Sequence, residues 1–330
     1  MRRREVPFVL TFGLALVPRF GRAQPRANLP RIGSLSFGTA PSGATPDPAR
    51  GFALGLGELG YVEGQNILIE RRFAGGQPDR LPALAAELVQ LKVDIIVAGG
   101  PGPLQAARKA TTTIPIVTIA GSDPVREGWA QSLAHPGGNV TGLTVTFPEL
   151  ASKYLELLKQ TLGQVVRVAV LYAPADMPAA PAVLLELEAG ARRLGLQLQV
   201  LPVKGPADID AAFALARLQQ AQAVYAVATN VVVTQREQIA ALCASDKLPS
   251  ISEFAQLARA GLLMTYGADL DDLGRRAIVY VDKILKGARP GDLAIERPTK
   301  FQLIVNLKSA KAIGIQLPQS LLLRADEVIR

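Results

Sequence analysis

The 330-residue chain carries a single cysteine, Cys243, a single histidine, His135, and a single tryptophan, Trp129. One cysteine rules out a disulfide within the chain and a two-cysteine racemase or epimerase. One histidine, in the turn-like "HPGGN", leaves a histidine-based metal site without partners and reads as a loop residue, not a catalytic base. Neither a G-x-S-x-G nucleophile elbow nor a G-x-x-x-x-G-K-[ST] phosphate loop occurs. The paired Asp271 and Asp272 fall on the polar side of a helix pattern, where a solvated face is expected. With nucleophile, base and metal ligands missing, the expectation is a protein that is not an enzyme and needs no cofactor.

Basic clusters are equally scarce. The formal charge is +8, but about half of it comes from Arg2, Arg3, Arg4, Arg19 and Arg22 near the start. No later Lys/Arg run is interleaved with aromatics, so no nucleic-acid partner is expected. The start itself has the order of an export signal over residues 1–23: basic "MRRRE", apolar "VPFVLTFGLALV", then the small-x-small "GRA" ending at Ala23. That apolar run is too short to span a bilayer. Arg3-Arg4 also admits the twin-arginine route, and a membrane-anchoring or unstructured N-terminus is the alternative reading. Since no cysteine follows the leader to take a lipid, a soluble periplasmic protein is expected and not a lipoprotein.

What the chain does have is alternation. From Arg31 onward, short β-rich runs ("RIGSLSF", "NILIERRFA", "VDIIVAGG", "IPIVTIAG") alternate with helical patterns, the form of parallel βαβ units. After "HPGGNVTGLTV" a second set begins, with "RVAVLYAP", "LQLQVLPVK", "QAVYAVAT" and "KLPSIS" as strands. The expected fold is α/β, with two doubly wound Rossmann-like lobes. Residues of about 30–145 make the first lobe, joined by a helix at about 268–290; about 146–265 make the second, joined by a returning strand and tail at about 292–330. Such returning segments predict several crossovers forming a hinge.

The stretch "GLGELG", Gly55 to Gly60, has the spacing of a dinucleotide-binding loop but the wrong context. About ten loop residues separate it from the preceding strand. A helix start at Asp47 and Pro48, an apolar stripe of Phe52, Leu56 and Leu59, and a left-handed cap at Gly60 place Gly55 and Gly57 inside a helix.

In open α/β sheets, ligands bind beyond the carboxyl ends of the strands. The residues there are Ser36, Phe37, Gly100, Pro101, Ser122, Asp123, Tyr172, Asp176, Thr229, Asn230, Ser252, Glu253, Phe254 and Tyr266. Asp123 or Glu253 suits an ammonium group, and Ser36, Ser122 and Thr229 with nearby amides suit a carboxylate. Phe37, Tyr172, Phe254 and Tyr266 suit apolar walls. For Asp123 the competing role is a local cap. For Trp129, a helix near Gly128 would hold the indole at the interlobe rim, and burial in the first lobe is the alternative.

Long segments carry a resemblance: "LGYVEGQNILIERRFAGGQPDRLPALAAELVQLKVDIIVAGG", "SDPVREGWAQSLAHPGGNVTGLT", "MTYGADLDDLGRRAIVYVDKILKG" with its continuation to "AIGIQLP", and the ending "LLLRADEVI". In these the chain resembles the ABC-transporter substrate-binding proteins of the tryptophan/tyrosine type. The resemblance implies a type I periplasmic binding fold with three crossovers and a ligand enclosed between the lobes. It further implies an amino acid or related small organic ligand, an ABC permease in the inner membrane as partner, and a monomer. A ligand sensor for a membrane receptor kinase would share the same cleft. The chain departs from the family pattern at "GGPGP", where a small hydroxylated residue beside proline is usual. A second departure is "APAD", Ala173 to Asp176, where Asn-Pro-Ala-Asn is common, so the position of the site is better defined than its selectivity.

Overall fold

The computed structural model describes residues 29–40, 50–145, 150–174 and 180–330. The expected leader, the helix start at Asp47 and Pro48, and Asp176 lie outside these residues. Two sheets organise the rest. The first contains β1 (Arg31–Ser36), β2 (Leu68–Phe73), β3 (Ile95–Gly99), β4 (Ile116–Gly121) and β5 (Val140–Thr144), in the order β2-β1-β3-β4-β5 and parallel throughout. Helices α1 (Arg50–Glu58), α2 (Leu81–Gln90) and α3 (Pro101–Ala110) connect its strands. Because helices cover both faces, β3 can be apolar at Ile95, Ile96, Val97 and Ala98 in succession, and all four are buried.

The second lobe runs through α4 (Ala151–Leu162), β6 (Arg167–Tyr172), α5 (Ala180–Leu194), β7 (Gln197–Pro202), α6 (Ala207–Leu218) and β8 (Ala223–Ala226). It continues through α7 (Asn230–Thr234), α8 (Arg236–Ser245), β9 (Ser250–Ser252), α9 (Ala255–Ala260) and β10 (Met264–Ala268). The chain then leaves for α10 (Leu270–Leu285), which packs on α1, β4 and β5 of the first lobe. It returns as β11 (Phe301–Asn306), α11 (Leu307–Ile313), α12 (Gln319–Leu322) and β12 (Glu327–Ile329). The second sheet has the order β12-β11-β10-β9-β8-β6-β7, parallel except where β11 meets β10. The two-lobed doubly wound architecture expected from the sequence is therefore present.

Glycines allow α1 and α10 to touch along their backbones. A Cβ on Gly51 would stand 2.2 Å from the Asp271 carbonyl oxygen, one on Gly55 would stand 2.9 Å from Arg275 Cα, and one on Gly274 would stand 2.6 Å from the Phe52 nitrogen. This explains "GLGELG": Gly55 is a helix-packing residue, and Gly60 takes the left-handed conformation expected of a cap. Of the proposed stripe, Phe52 and Leu56 are buried, but Leu59 is 44% exposed because the helix ends at Glu58 and the chain turns away.

Three crossings join the lobes: after Val145, between Ala268 and Leu270, and between Glu296 and Phe301. Before the third, the Glu296 amide bonds the Gly142 carbonyl and its carbonyl accepts from Thr144, so this segment runs along β5. The second and third crossings are fastened together. Asp269 caps α10 by accepting from the Asp271 and Asp272 amides, and its other oxygen accepts from Gln302 Nε2 at 2.9 Å. Lys300 Nζ lies 2.9 Å from Asp272, which also pairs with Arg276.

Candidate ligand-binding cleft

A cleft of about 1050 Å³ opens between the lobes at the carboxyl ends of both sheets. Its first-lobe wall includes Ser36 and Phe37 after β1, Phe73 and Gly76 after β2, Gly100 and Pro101 after β3, and Ile119 and Ala120 on β4. The second-lobe wall includes Tyr154 on α4, Tyr225 on β8, Thr229 and Asn230 at the start of α7, and Glu253 and Phe254 after β9. Gly267, Ala268, Leu270 and Phe301 come from the crossings themselves. The lobes meet at the mouth: a Cβ on Gly102 would stand 3.1 Å from Asn230 Nδ2, and one on Gly76 would stand 3.6 Å from Thr234.

Aromatic residues are few in this chain and gather here. Tyr154 and Tyr225 stack with ring centroids 4.9 Å apart and planes inclined by 22°, both rings buried at the back of the second-lobe wall. Tyr225 Oη donates to Glu253 Oε1 at 2.6 Å, and the Ala228 amide donates to Oε2 at 2.8 Å. Ser252 Oγ donates to the Ala226 carbonyl at 2.6 Å and lies 3.1 Å from Glu253 Oε2. Burial pushes the Glu253 carboxyl above the usual carboxylate range, and the bonds from Tyr225, Ala228 and Ser252 pull it partly back. Burial also raises the Tyr154 and Tyr225 hydroxyls, with the Glu253 charge adding to it, so both phenols stay neutral. Gly267 makes room for this corner, since a Cβ there would lie 2.0 Å from the Glu253 carbonyl oxygen.

Thr229 is only 6% exposed, and its Oγ1 has no partner among the described residues although the residue lines the cleft. An unpaired buried hydroxyl in a cavity wall is a ready ligand contact. The two arginines in the wall are occupied: Arg236 pairs with Glu237 and Arg259 with Glu327.

Of the residues expected from sequence, the structure brings Ser36, Phe37, Gly100, Pro101, Thr229, Asn230, Glu253 and Phe254 to the cleft. Others it places elsewhere among the described residues. Ser122 is buried and donates to Glu127 at 2.6 Å. Asp123 accepts from the Val125 and Arg126 amides, so it closes its own turn. Ser252 stands behind Glu253 as its support. Tyr172 packs on the second-lobe core. Tyr266 stacks on Phe301 at 5.8 Å and backs the wall without lining it. Trp129 is 6% exposed within the first-lobe core, and a turn, not a helix, surrounds it. His135 lies exposed in a loop. Asp271 and Asp272 form ion pairs in the first turn of α10 and are half-buried, unlike a solvated face.

Sequence reasoning missed Tyr154, Tyr225 and Phe301. Tyr225 lies inside "AVYA", where strand periodicity assigns an apolar residue to the core, and only its hydrogen bond to Glu253 marks it as part of the site. Among the described residues no cluster of three or more His, Cys, Asp or Glu side chains could hold a metal ion, and no helix is long and apolar enough to cross a membrane.

Residues 44–329 match a protein family described as ABC transporter substrate binding protein. The chain is 27% identical over 267 residues to a tyrosine-binding protein of Clostridioides difficile strain R20291, covering 81% of this chain and 76% of that one. Among solved structures, an ABC domain from Streptococcus pneumoniae in complex with L-Trp superposes with a TM-score of 0.83 at 26% identity, covering 91% and 100% of the two chains. A conserved domain protein from Vibrio cholerae O1 biovar El Tor gives 0.83 at 28% identity over 91% and 99%. A leucine-binding protein from Thermotoga maritima, at 14% identity over 80% and 85% of the chains, shares the fold with a TM-score of 0.58.

Proposed function

The chain belongs to the ABC transporter substrate-binding protein family, and from that premise we propose that it is the periplasmic solute-binding component of an ABC importer, with a small amino-acid-like organic molecule as its ligand. The observation that carries this reading is the cleft of about 1050 Å³ with walls from both lobes and three chain crossings at its base. A cavity that spans two bodies hinged by short crossings is suited to close over its ligand. The leader supports export, and two of the relatives named above are described as a tyrosine-binding protein and as a domain in complex with L-Trp. Catalysis has no support in the cleft wall: the one histidine is in a surface loop and the one cysteine is buried among α6, α8 and β9 residues, its thiol pushed up to about 12.

The protein acts by holding, not transforming. The partly exposed Phe73, Phe254 and Phe301 offer faces to an apolar body, with the buried Tyr154–Tyr225 stack behind the second-lobe wall, and Thr229, Asn230 and Glu253 offer polar contacts to its head. The expected affinity is on the order of micromolar, about −8 kcal/mol. A thermal-shift screen of the purified protein against amino acids, amines and small carboxylates tests it. A ligand at about 100 times its dissociation constant raises stability by about 2.7 kcal/mol. A screen in which no member shifts the melting temperature contradicts the reading.

A further inference from the structure

Among the described residues, four other than glycine have a positive φ: Lys92, Ala120, Gln220 and Lys247. Three have an ordinary reason. Lys92, Gln220 and Lys247 are exposed, and each stands one position past the C-cap of its helix, α2, α6 or α8, where a chain leaving a helix commonly turns left-handed. Ala120 ends no helix. It stands inside β4 at φ 58° and lines the cleft. A residue with a Cβ is strained in this conformation, and glycine is not. The neighbouring Gly121 would take it freely and does not.

The register of β4 breaks at the same point. Thr118 pairs with Gly142 and Gly121 with Thr144, so Ile119 and Ala120 together stand opposite the single residue Leu143. This is a β-bulge, a device that re-aims side chains. Ile116 packs on the α2 and α3 side of the sheet and Val117 on the α1 and α10 side. Strict alternation from there assigns Ile119 to the α1 and α10 side and Ala120 to the other. Instead both pack with Phe52, Val97 and Val117, and both line the cleft. The bulge thus turns two successive apolar side chains toward the same side at the base of the first-lobe wall.

We propose that Ala120 is a specificity-determining residue, whose methyl group, presented by the strained bulge, sets the depth open to the side chain of an amino-acid ligand. This rests on the reading of the cleft as a ligand site and deepens it. Strain held at a binding wall is consistent with a selected side-chain position, since the fold alone would be served better by glycine at 120. The methyl group is a small stop, so it acts on the size of the ligand and leaves the polar contacts at Thr229, Asn230 and Glu253 untouched. A ligand whose apolar body is one ring larger meets this stop first.

The test is calorimetric titration of the purified protein and two variants with L-phenylalanine and L-tryptophan, read as the ratio of their dissociation constants. Ala120→Gly opens the wall and should move the ratio about threefold toward tryptophan. Ala120→Asn keeps a residue that tolerates the left-handed conformation but fills the wall, and should move it about tenfold toward phenylalanine. Lys92→Gly, which relieves the same backbone strain at a helix end, should leave the ratio unchanged. Both glycine variants should raise the melting temperature of the ligand-free protein. A ratio that stays constant in both Ala120 variants, or moves the same way in both, overturns the inference and leaves the ligand-binding function standing. A melting temperature that falls in Ala120→Gly while it rises in Lys92→Gly overturns the strain at Ala120 and the inference with it. Failure of both amino acids to bind the unmodified protein, combined with a hit among other molecules in the thermal-shift screen, overturns the inference alone; failure of the entire screen overturns both.

Discussion

Gln302 donates to Asp269 at 2.9 Å, and this bond joins the strand that returns to the second lobe with the cap of the helix that has just left it. Asp269 therefore serves two crossings at once. Asp269→Ala removes the accepted bonds from Asp271, Asp272 and Gln302, and should cost about 1–2 kcal/mol in urea denaturation. Lys300→Ala breaks a partly exposed pair with Asp272 and should cost about 1 kcal/mol or less. Equal losses for the two variants would show that the fastening at Asp269 has no special weight.

Closure is expected to be sensitive to Gly102. A methyl group there would press on Asn230 across the cleft and on Leu81 within its own lobe, at 3.1 and 3.2 Å. Gly102→Ala should weaken ligand binding by about fivefold, through a penalty of about 1 kcal/mol on the closed arrangement, with the ligand-free melting temperature nearly unchanged. Calorimetry and a melting curve separate these effects. A large fall in the melting temperature would place the strain against Leu81 instead.

Asp123→Ala should lower stability and leave affinity alone. Its Oδ1 accepts from the Val125 and Arg126 amides at 3.2 and 3.1 Å, and it is absent from the cleft wall. A loss of about 0.5–2 kcal/mol is expected, as for a helix cap. A tenfold loss of affinity at constant melting temperature would return Asp123 to the ligand site.

Glu253 gives the pH dependence a defined sign. Folding raises its pKa, chiefly by burial, so the unfolded chain ionises first as pH rises. A stability penalty accumulates between the ordinary carboxylate range and the raised folded value and is constant above it. Stability should therefore increase as pH falls from neutrality through the folded value. Glu253→Gln should remove this contribution and flatten that part of the curve. Urea denaturation of both proteins from neutrality down through the ordinary carboxylate range reads it. Parallel curves for the two proteins would mean that Glu253 titrates in the folded state as it does unfolded.

Much of the fold could be read from the chain because βαβ units announce themselves by alternating apolar runs and helical stripes. The losses have physical reasons. β5 lies in "VTGLT", whose glycine and short length resemble a connection, and β12 is three residues long. At the cleft, position was more legible than role. Ser122, Asp123 and Ser252 all end strands, yet a polar side chain there is as well suited to bond its own turn or a neighbour as to meet a ligand, and here each does the former. Trp129 fills the first-lobe core with its Nε1 unpartnered among the described residues, so large size and lipophilicity decided its place over any rim position. Tyr225 was hidden by its place inside a strand, because periodicity tells which residues are inside and not which inner residues border a cavity.

The central claim is that the lobes close on a ligand held between them, and an electron-spin distance measurement tests it most directly. Lys109 on α3 and Ala244 on α8 are exposed and belong to different lobes, while the native Cys243 is buried with its thiol pushed up to about 12 and should resist labelling. Spin labels at Lys109→Cys and Ala244→Cys should show a broad or longer distance without ligand and a single shorter one at saturation, with a midpoint equal to the calorimetric one. An unchanged distance distribution at ligand concentrations where calorimetry is saturated would contradict closure.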